Sequence, residues 1–303
     1  MRIADLPAPA LAQRLRGPGL LIGAGPFVYR LRSPHALVAE GLALLYADMP
    51  LVADDGFADF CVDIAPGQGL RRWFRRQSHF RYDGLSVFEP LPEAHAYALL
   101  EWAMNWCISS QPHDYLVIHS AVVARGDRAV ILPAPPGSGK STLCAALIHS
   151  GWRLLSDELA LVSLADGQLW PLCRPVGLKN ASIRIIQDFA PAAVINRVTH
   201  DTNKGDVSHM KVPAEHLAQM LVPARPKWLI FPRWQRDAAT NFSARSRASA
   251  LVDLARHSFN FGTLGEAGFD ALCDVVTACE CMDFSYSRLD EAMAAFDRLD
   301  AAA

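Results

Sequence analysis

The first hundred residues alternate between strand-like and helix-like hydrophobic patterns. Residues 25–32 and 57–64 alternate between apolar and polar positions, which predicts two strands. Between them, Ser33 and Pro34 predict the start of a helix that runs to about Tyr46. Two more strands and a long amphipathic helix are predicted at residues 71–82, 85–88 and 92–109.

A polar break at residues 111–114 separates this region from a second pattern. Residues 115–124 and 129–132 are apolar strands joined by a four-residue turn, too short for a crossover helix, so we expect an antiparallel hairpin. Residues 159–164 and 168–172 flank Asp166-Gly167, which predicts another hairpin. We therefore expect an α/β protein with a small N-terminal α+β domain at residues 1–110 and a main domain at residues 111–303.

The segment after the first hairpin fits the phosphate-binding pattern G-x-x-x-x-G-K-[ST], except that Ala134 replaces the first glycine. Backbone N–H groups of such a P-loop, and the helix predicted at residues 140–149, cradle phosphate oxygens. Lys140 neutralises phosphate charge, and Ser141 offers a hydroxyl ligand to Mg²⁺. The predicted nucleotide-binding residues are Pro136, Gly137, Ser138, Gly139, Lys140, Ser141 and Thr142. The pattern predicts ATP and Mg²⁺ as cofactors.

Two adjacent carboxylates follow the next predicted strand. Asp157 and Glu158 come 17 and 18 residues after Lys140. Carboxylates at this place can divide two tasks, one holding the metal and the other abstracting a proton. An ordinary acidic turn is the alternative interpretation. The assignment of the two tasks is also open, because many P-loop ATPases place the metal-linked carboxylate first and the base second.

These residues together resemble a known family. The run Ile118-His119-Ser120-Ala121-Val122-Val123, the P-loop and residues 151–158 resemble the HPr kinase/phosphorylase family. Residues 202–205 with His209, and residues 278–292, resemble its subgroup called HprK-related kinase A. The resemblance implies a fold of the HPr kinase/phosphoenolpyruvate carboxykinase type with antiparallel hairpins.

The resemblance also implies roles for the site residues. It makes Asp157 the general base, His119 a phosphate-proximal residue and Lys140 the third member of the catalytic set. Glu158 becomes a metal-linked carboxylate beside Ser141. The implied reaction transfers the γ-phosphoryl of ATP to a hydroxyl, with a serine of a protein or peptide from a modified-peptide pathway favoured. A small-molecule kinase and a nucleotide-gated binding module or ATPase without phosphotransfer remain alternatives.

Two polar segments carry weaker signals. Residues 199–209, with Lys204 and His209, have the composition of a mobile loop over the nucleotide or acceptor, or of a plain surface loop. Residues 71–76 read Arg-Arg-Trp-Phe-Arg-Arg, which fits an amphipathic strand with a solvated edge. If this basic segment is functional, we expect it to hold an acidic protein or peptide, so that the N-terminal domain selects the acceptor.

Composition narrows the partners and the compartment. A net charge of −2 predicts no attraction to nucleic acid or to an anionic membrane. Seven scattered cysteines indicate buried thiols in a reducing compartment rather than a disulfide framework. The apolar residues 19–28 are interrupted by glycines and a proline, which argues against a signal peptide or a membrane span. We expect a cytoplasmic location, and a homo-oligomer is an open option.

Overall fold

The structure is a computed structural model that describes residues 1–111, 114–135 and 137–302. It is a mixed α/β protein with strands in three sheets. The strands are β1 (Leu20–Ala24), β2 (Phe27–Arg32), β3 (Phe60–Pro66), β4 (Gln77–Tyr82), β5 (Leu85–Ser86), β6 (Leu91–Pro92), β7 (Tyr115–Arg125), β8 (Arg128–Pro133), β9 (Arg153–Ser156), β10 (Leu159–Ser163), β11 (Leu169–Trp170), β12 (Val176–Lys179), β13 (Thr199–Thr202), β14 (Gly205–Met210), β15 (Arg225–Trp234), β16 (Asn241–Ala244) and β17 (Glu280–Tyr286).

The helices lie between and after these strands. They are α1 (Ala8–Arg16), α2 (Ala36–Leu45), α3 (Ala96–Ser110), α4 (Lys140–Ile148), α5 (Ala181–Phe189), α6 (Ala214–Leu217), α7 (Arg247–Arg256), α8 (Phe261–Leu264), α9 (Glu266–Ala278) and α10 (Leu289–Ala301). Short 3₁₀ turns occupy Ile3–Asp5, Gly69–Arg72 and Glu93–His95. Within the described residues, no helix combines the length and the apolar character needed to cross a membrane.

The N-terminal sheet has the order β1-β2-β3-β4-β5, with β6 also paired to β4. Strand β1 was not predicted, because Gly23, Gly25 and Pro26 interrupt its apolar pattern; Gly25 adopts φ +60° at the turn into β2. The strand predicted at residues 71–82 is wrong in its first half. Arg75 has φ +46°, a left-handed conformation that cannot continue a strand, so β4 begins only at Gln77.

The main sheet has the order β11-β10-β7-β8-β15-β17-β16, and β9 pairs with β7. Both predicted hairpins are confirmed: β7 runs antiparallel to β8, and β10 runs antiparallel to β11. Strands β15 and β17 run parallel to β8, and β9 points the same way because it is antiparallel to β7. The carboxyl ends of β8, β9, β15 and β17 therefore meet at one edge of the sheet.

The third sheet corrects the interpretation of residues 199–209 as a loop. Strands β13 and β14 form a hairpin, and β14 also pairs with β12. The turn closes locally: the Thr202 hydroxyl donates to the Gly205 carbonyl at 2.6 Å and accepts from the Lys204 N–H at 3.1 Å. Gly205 supplies the left-handed residue with φ +79°. Because the short polar strands resemble loop composition, their pairing is invisible to hydrophobic periodicity.

The three sheets share one large hydrophobic core. A continuous cluster of buried side chains extends from Ile3 in the first residues to Phe296 in α10, and includes Leu100 of α3 and Leu143 of α4. The proposed division near residue 110 stays a prediction. Pro112 and His113, on which that prediction rests, lie outside the described residues.

Candidate active site

The P-loop joins β8 to α4 at the carboxyl edge of the main sheet. Gly139 precedes α4 with φ +89°, and a Cβ there would lie 2.5 Å from the hydroxyl oxygen of Tyr286. That hydroxyl donates to the Gly139 carbonyl at 3.1 Å, and the Trp234 N–H donates to the Ser138 carbonyl at 2.9 Å. Glycine is thus required at position 139 both for its conformation and for the close approach of β17.

Two polar atoms of the loop are buried without hydrogen-bond partners among the described residues. They are Nζ of Lys140 and Oγ of Ser138. Buried polar atoms in proteins are nearly always hydrogen-bonded. A bound ligand would supply the hydrogen-bond partners that these two atoms lack. An ammonium and a hydroxyl at the N-terminus of a helix are donors suited to phosphate oxygens.

The predicted carboxylate pair lies at the same edge, directly after β9. Asp157 is only 4% exposed. Its Oδ2 accepts from the Gly177 N–H at 3.0 Å, whereas its Oδ1 has no partner among the described residues. Both carboxylate oxygens of Glu158 have a polar partner. His119 Nε2 lies 3.2 Å from its Oε2, and Lys179 Nζ lies 3.6 Å from its Oε1.

These surroundings move the pKa values of the two carboxyls in opposite directions. Burial, reinforced by the charge of Glu158, raises the pKa of Asp157 to about 6. Burial also acts to raise the pKa of Glu158. The hydrogen bond from His119 and the charges of Lys140 and Lys179 outweigh it, so this pKa lies below its ordinary value. Adjacent carboxyls with separated pKa values are a common feature of acid–base sites.

His119 occupies β7, opposite the beginning of the P-loop, because β7 pairs Ser120 with Pro133. Its backbone N–H donates to the His257 carbonyl at 2.7 Å, and its ring lies 5.9 Å from that of Phe259. The segment after α7 thus forms an antiparallel bridge with β7 beside the histidine. No local sequence pattern predicts this position of the segment, because its contacts with β7 join residues more than a hundred positions apart.

A cleft in front of the carboxylates is formed by both halves of the chain. Helix α3, the segment after β9, β12 with the residues just before it, and β14 contribute its main lining residues: Glu101, Trp102, Asn105, Asp157, Glu158, Arg174, Gly177, Lys179, Val207 and His209. Lys204 lies at the same wall, with its Nζ 5.1 Å from the centre of the Trp102 ring. The hairpin that replaces the predicted loop therefore places both Lys204 and His209 at this cleft.

A buried ion pair joins the two halves at the back of the cleft. Arg174 Nη2 lies 2.6 Å from Glu101 Oε2. The hydroxyls of Tyr46 and Tyr97 donate to Glu101 Oε1 at 2.9 and 2.6 Å. Arg174 also donates to Asn105 Oδ1 at 2.8 Å. Neither this cluster nor its position was predicted from the sequence.

Of the predicted site residues, the structure brings His119, Lys140, Asp157 and Glu158 to one edge of the sheet. Lys140 influences the pKa of both carboxyls, which reflects its closeness to them. Ser141 and Thr142 lie in the first turn of α4, and Gly137 has φ +86° in the loop. Pro136 lies outside the described residues. The residues that sequence reasoning missed are Trp234 and Tyr286, which hold the loop from the next two strands.

No family model matches the chain, and no curated protein matches it. One solved structure to which the chain is similar is the Hpr(Ser) kinase/phosphatase from Coxiella burnetii. The identity is 13%, and the match covers 62% of this chain and 99% of the other, with a TM-score of 0.27. A similarity at this level establishes neither a family nor a shared activity.

Proposed function

We propose that this chain is an ATP-dependent kinase that transfers the γ-phosphoryl group of ATP to a hydroxyl, with a serine of a protein or peptide as the acceptor. One observation carries the proposal. Lys140 Nζ and Asp157 Oδ1 are oppositely charged, buried at the same sheet edge, and without hydrogen-bond partners among the described residues. Burying charged groups in this state is costly unless a ligand completes their bonding.

The P-loop is the part that would hold the phosphates of ATP. Its backbone N–H groups from Gly137 to Thr142 form the phosphate-binding segment. The Lys140 ammonium neutralises charge on the β- and γ-phosphates. Tyr286 and the Trp234 backbone hold the loop in position before the nucleotide arrives, which limits the entropy lost on binding.

Asp157 is assigned the role of general base. A carboxyl with a pKa of about 6 is ionised at neutral pH and retains affinity for a proton. During transfer, the acceptor oxygen forms a bond to the γ-phosphorus as the bond to the β-phosphate oxygen breaks. The hydroxyl proton passes to Asp157, and ADP is the other product.

Glu158 and Ser141 are assigned to Mg²⁺. The donor set fits, because Mg²⁺ is usually bound by one or two carboxylates together with substrate phosphates rather than by a complete protein cage. Glu158 stays ionised because its pKa is lowered, and His119 orients it through the 3.2 Å contact. When bound, Mg²⁺ supplies positive charge that stabilises the transferring phosphoryl group.

ATP hydrolysis without an acceptor is the second candidate. The order Asp157-Glu158 favours it, because many P-loop ATPases use the first carboxylate for the metal and the second as the base. The pKa values favour the kinase instead, since a carboxyl with a lowered pKa is a weak base. The cleft between α3 and β12 also lies beside Asp157, where the acceptor hydroxyl of a kinase would have to enter.

The test compares Lys140→Ala with Lys227→Ala. The second variant removes a half-buried lysine at the amino end of β15, whereas the P-loop contacts the carboxyl end of that strand. Calorimetry with Mg-ATP and transfer of γ-labelled phosphate to serine-containing peptides are measured for both variants. We expect Lys140→Ala to weaken ATP binding and abolish transfer with the fold intact, while Lys227→Ala behaves as the parent protein. Unchanged Mg-ATP affinity in Lys140→Ala would overturn the P-loop assignment. Label appearing only in inorganic phosphate would favour the ATPase.

A further inference from the structure

The P-loop has two unlike flanks. On one side, beyond β7, lie β9 and the Asp157-Glu158 pair; on the other side lies β15, which ends at Trp234. Three strand spacings separate β9 from β15, a distance of about 14 Å. This is comparable to the reach of an extended nucleoside triphosphate. If the γ-phosphoryl group lies beside Asp157, the nucleoside end extends towards β15.

Trp234 is held at that end with its ring accessible. Its side chain is 46% exposed, whereas Trp152 and Trp228 are fully buried. Its indole Nε1 donates to the Ser287 carbonyl at 3.1 Å, and its backbone N–H donates to the Ser138 carbonyl in the P-loop. Its Cβ would lie 2.9 Å from a Cβ at Gly139. The ring is therefore both adjacent to the phosphate-binding segment and restrained by a hydrogen bond.

We propose that Trp234 is the stacking platform for the base of the nucleotide, so that this site takes a nucleoside triphosphate rather than any polyphosphate. The inference rests on the proposed binding of ATP phosphates by the P-loop. Stacking on an aromatic ring strengthens binding about 5- to 100-fold per base and depends little on base identity. Trp234 has already lost its rotational freedom, so the base gains contact at a low entropic cost. We expect ATP and GTP to bind with similar affinity.

The experiment measures dissociation constants for Mg-ATP, Mg-GTP and Mg-tripolyphosphate by calorimetry on the full chain. The variants are Trp234→Leu, which removes the aromatic ring, and Trp234→Phe, which keeps a smaller one. Trp73→Leu is the matched control, because Trp73 is 81% exposed in the turn that precedes β4. We expect Trp234→Leu to weaken both nucleotides about 5- to 100-fold and tripolyphosphate less than twofold. Trp234→Phe should retain most of the nucleotide affinity, and Trp73→Leu all of it.

The other outcomes overturn the inference in distinguishable ways. Equal loss of nucleotide and tripolyphosphate binding in Trp234→Leu would mean that Trp234 only supports the loop through Ser138 and Gly139. Unchanged nucleotide affinity would mean that the base lies elsewhere. If the parent protein binds tripolyphosphate as tightly as ATP, the base platform is wrong while the phosphate site stands. If the parent protein binds neither, the proposed function itself is wrong.

Discussion

Two buried charge clusters line the same cleft and differ in how their hydrogen bonds are satisfied. In the scaffold cluster of Glu101, Arg174, Tyr46 and Tyr97, both carboxylate oxygens of Glu101 have partners. In the loop cluster of Lys140, Asp157 and Glu158, Lys140 Nζ and Asp157 Oδ1 have none among the described residues. Both clusters hold oppositely charged side chains that are largely buried, and Glu158 is the one that is 29% exposed. Hydrogen-bond satisfaction separates the cluster that joins the two halves from the one suited to a ligand.

The largest expected effect comes from neutralising the loop cluster. Asp157→Asn keeps an oxygen to accept from the Gly177 N–H but cannot take a proton. We expect ATP binding to persist and phosphoryl transfer to fall about 10²- to 10⁴-fold, the usual contribution of a positioned base. Calorimetry and single-turnover transfer measure the two quantities.

Glu158→Gln is the companion variant for that measurement. With Asp157 as the base, Glu158→Gln should mainly lower the affinity for Mg²⁺, so that transfer requires a higher Mg²⁺ concentration. Near-normal turnover in Asp157→Asn together with an inactive Glu158→Gln would show that the base is the other neighbour.

Mutation of the scaffold cluster should instead lower the free energy of unfolding. Glu101→Gln leaves the Arg174 guanidinium buried without its counter-charge, which costs about 3–5 kcal/mol of unfolding free energy. Urea denaturation measures the loss. Asp188→Asn is the control, because it breaks the exposed Arg184–Asp188 pair and should cost less than about 1 kcal/mol. Similar losses in the two variants would contradict the distinction between the clusters.

In the loop cluster, mutation of Asp157 should instead raise the free energy of unfolding. The pKa of Asp157 is about 6 in the folded chain and near 3.8 in an unfolded one, so the folded state binds the proton more tightly. The parent protein therefore loses stability as the pH rises from about 4 to about 6. Asp157→Asn does not titrate, and we expect it to be more stable than the parent at pH 7 by about 2–3 kcal/mol.

Thermal unfolding without nucleotide at pH 4 and at pH 7 tests this expectation. The advantage of the variant should be small at pH 4 and full at pH 7. An advantage that is equal at both pH values, or absent at both, would contradict a raised pKa at Asp157.

The smallest effect is expected from the basic segment outside both clusters. Trp73 and Phe74 are exposed there, with Arg72 and Arg75 stacked near them, while Arg76 is paired with Glu93. If this surface holds an acidic acceptor, Arg72→Glu with Arg75→Glu should raise the acceptor KM several-fold at low salt, a loss of about 1 kcal/mol, and less at high salt. ATP affinity should stay within about twofold.

Steady-state kinetics with a peptide acceptor at two ionic strengths make this measurement. Among the described residues that line the cleft, none belongs to residues 71–76. The alternative selector of the acceptor is therefore α3. If the double variant keeps the parent's acceptor KM and Trp102→Ala changes it, then α3 and not the basic segment selects the acceptor.

The sequence predicted the parts of the site that depend on local signals. The P-loop follows from its glycines and Lys140, and the hairpins follow from alternation and from turns such as Asp166-Gly167. The cleft could not be predicted, because the Glu101–Arg174 contact joins residues 73 positions apart. The same reason hides Tyr286, whose hydroxyl contacts Gly139 across 147 positions. The local sequence around a buried aromatic or charged residue does not indicate which distant residue it contacts.

The continuity of the hydrophobic core has a consequence for synthesis on the ribosome. The core that includes Ile3 also includes Phe296, which lies 293 positions further along the chain. The N-terminal sheet therefore leaves the ribosome long before Arg174 can pair with Glu101 and before α10 packs. During that interval its apolar face lacks part of its native cover, as is typical of nascent chains that need chaperones. Stop codons placed just before Phe296 should lower the yield of soluble protein even though the P-loop is intact.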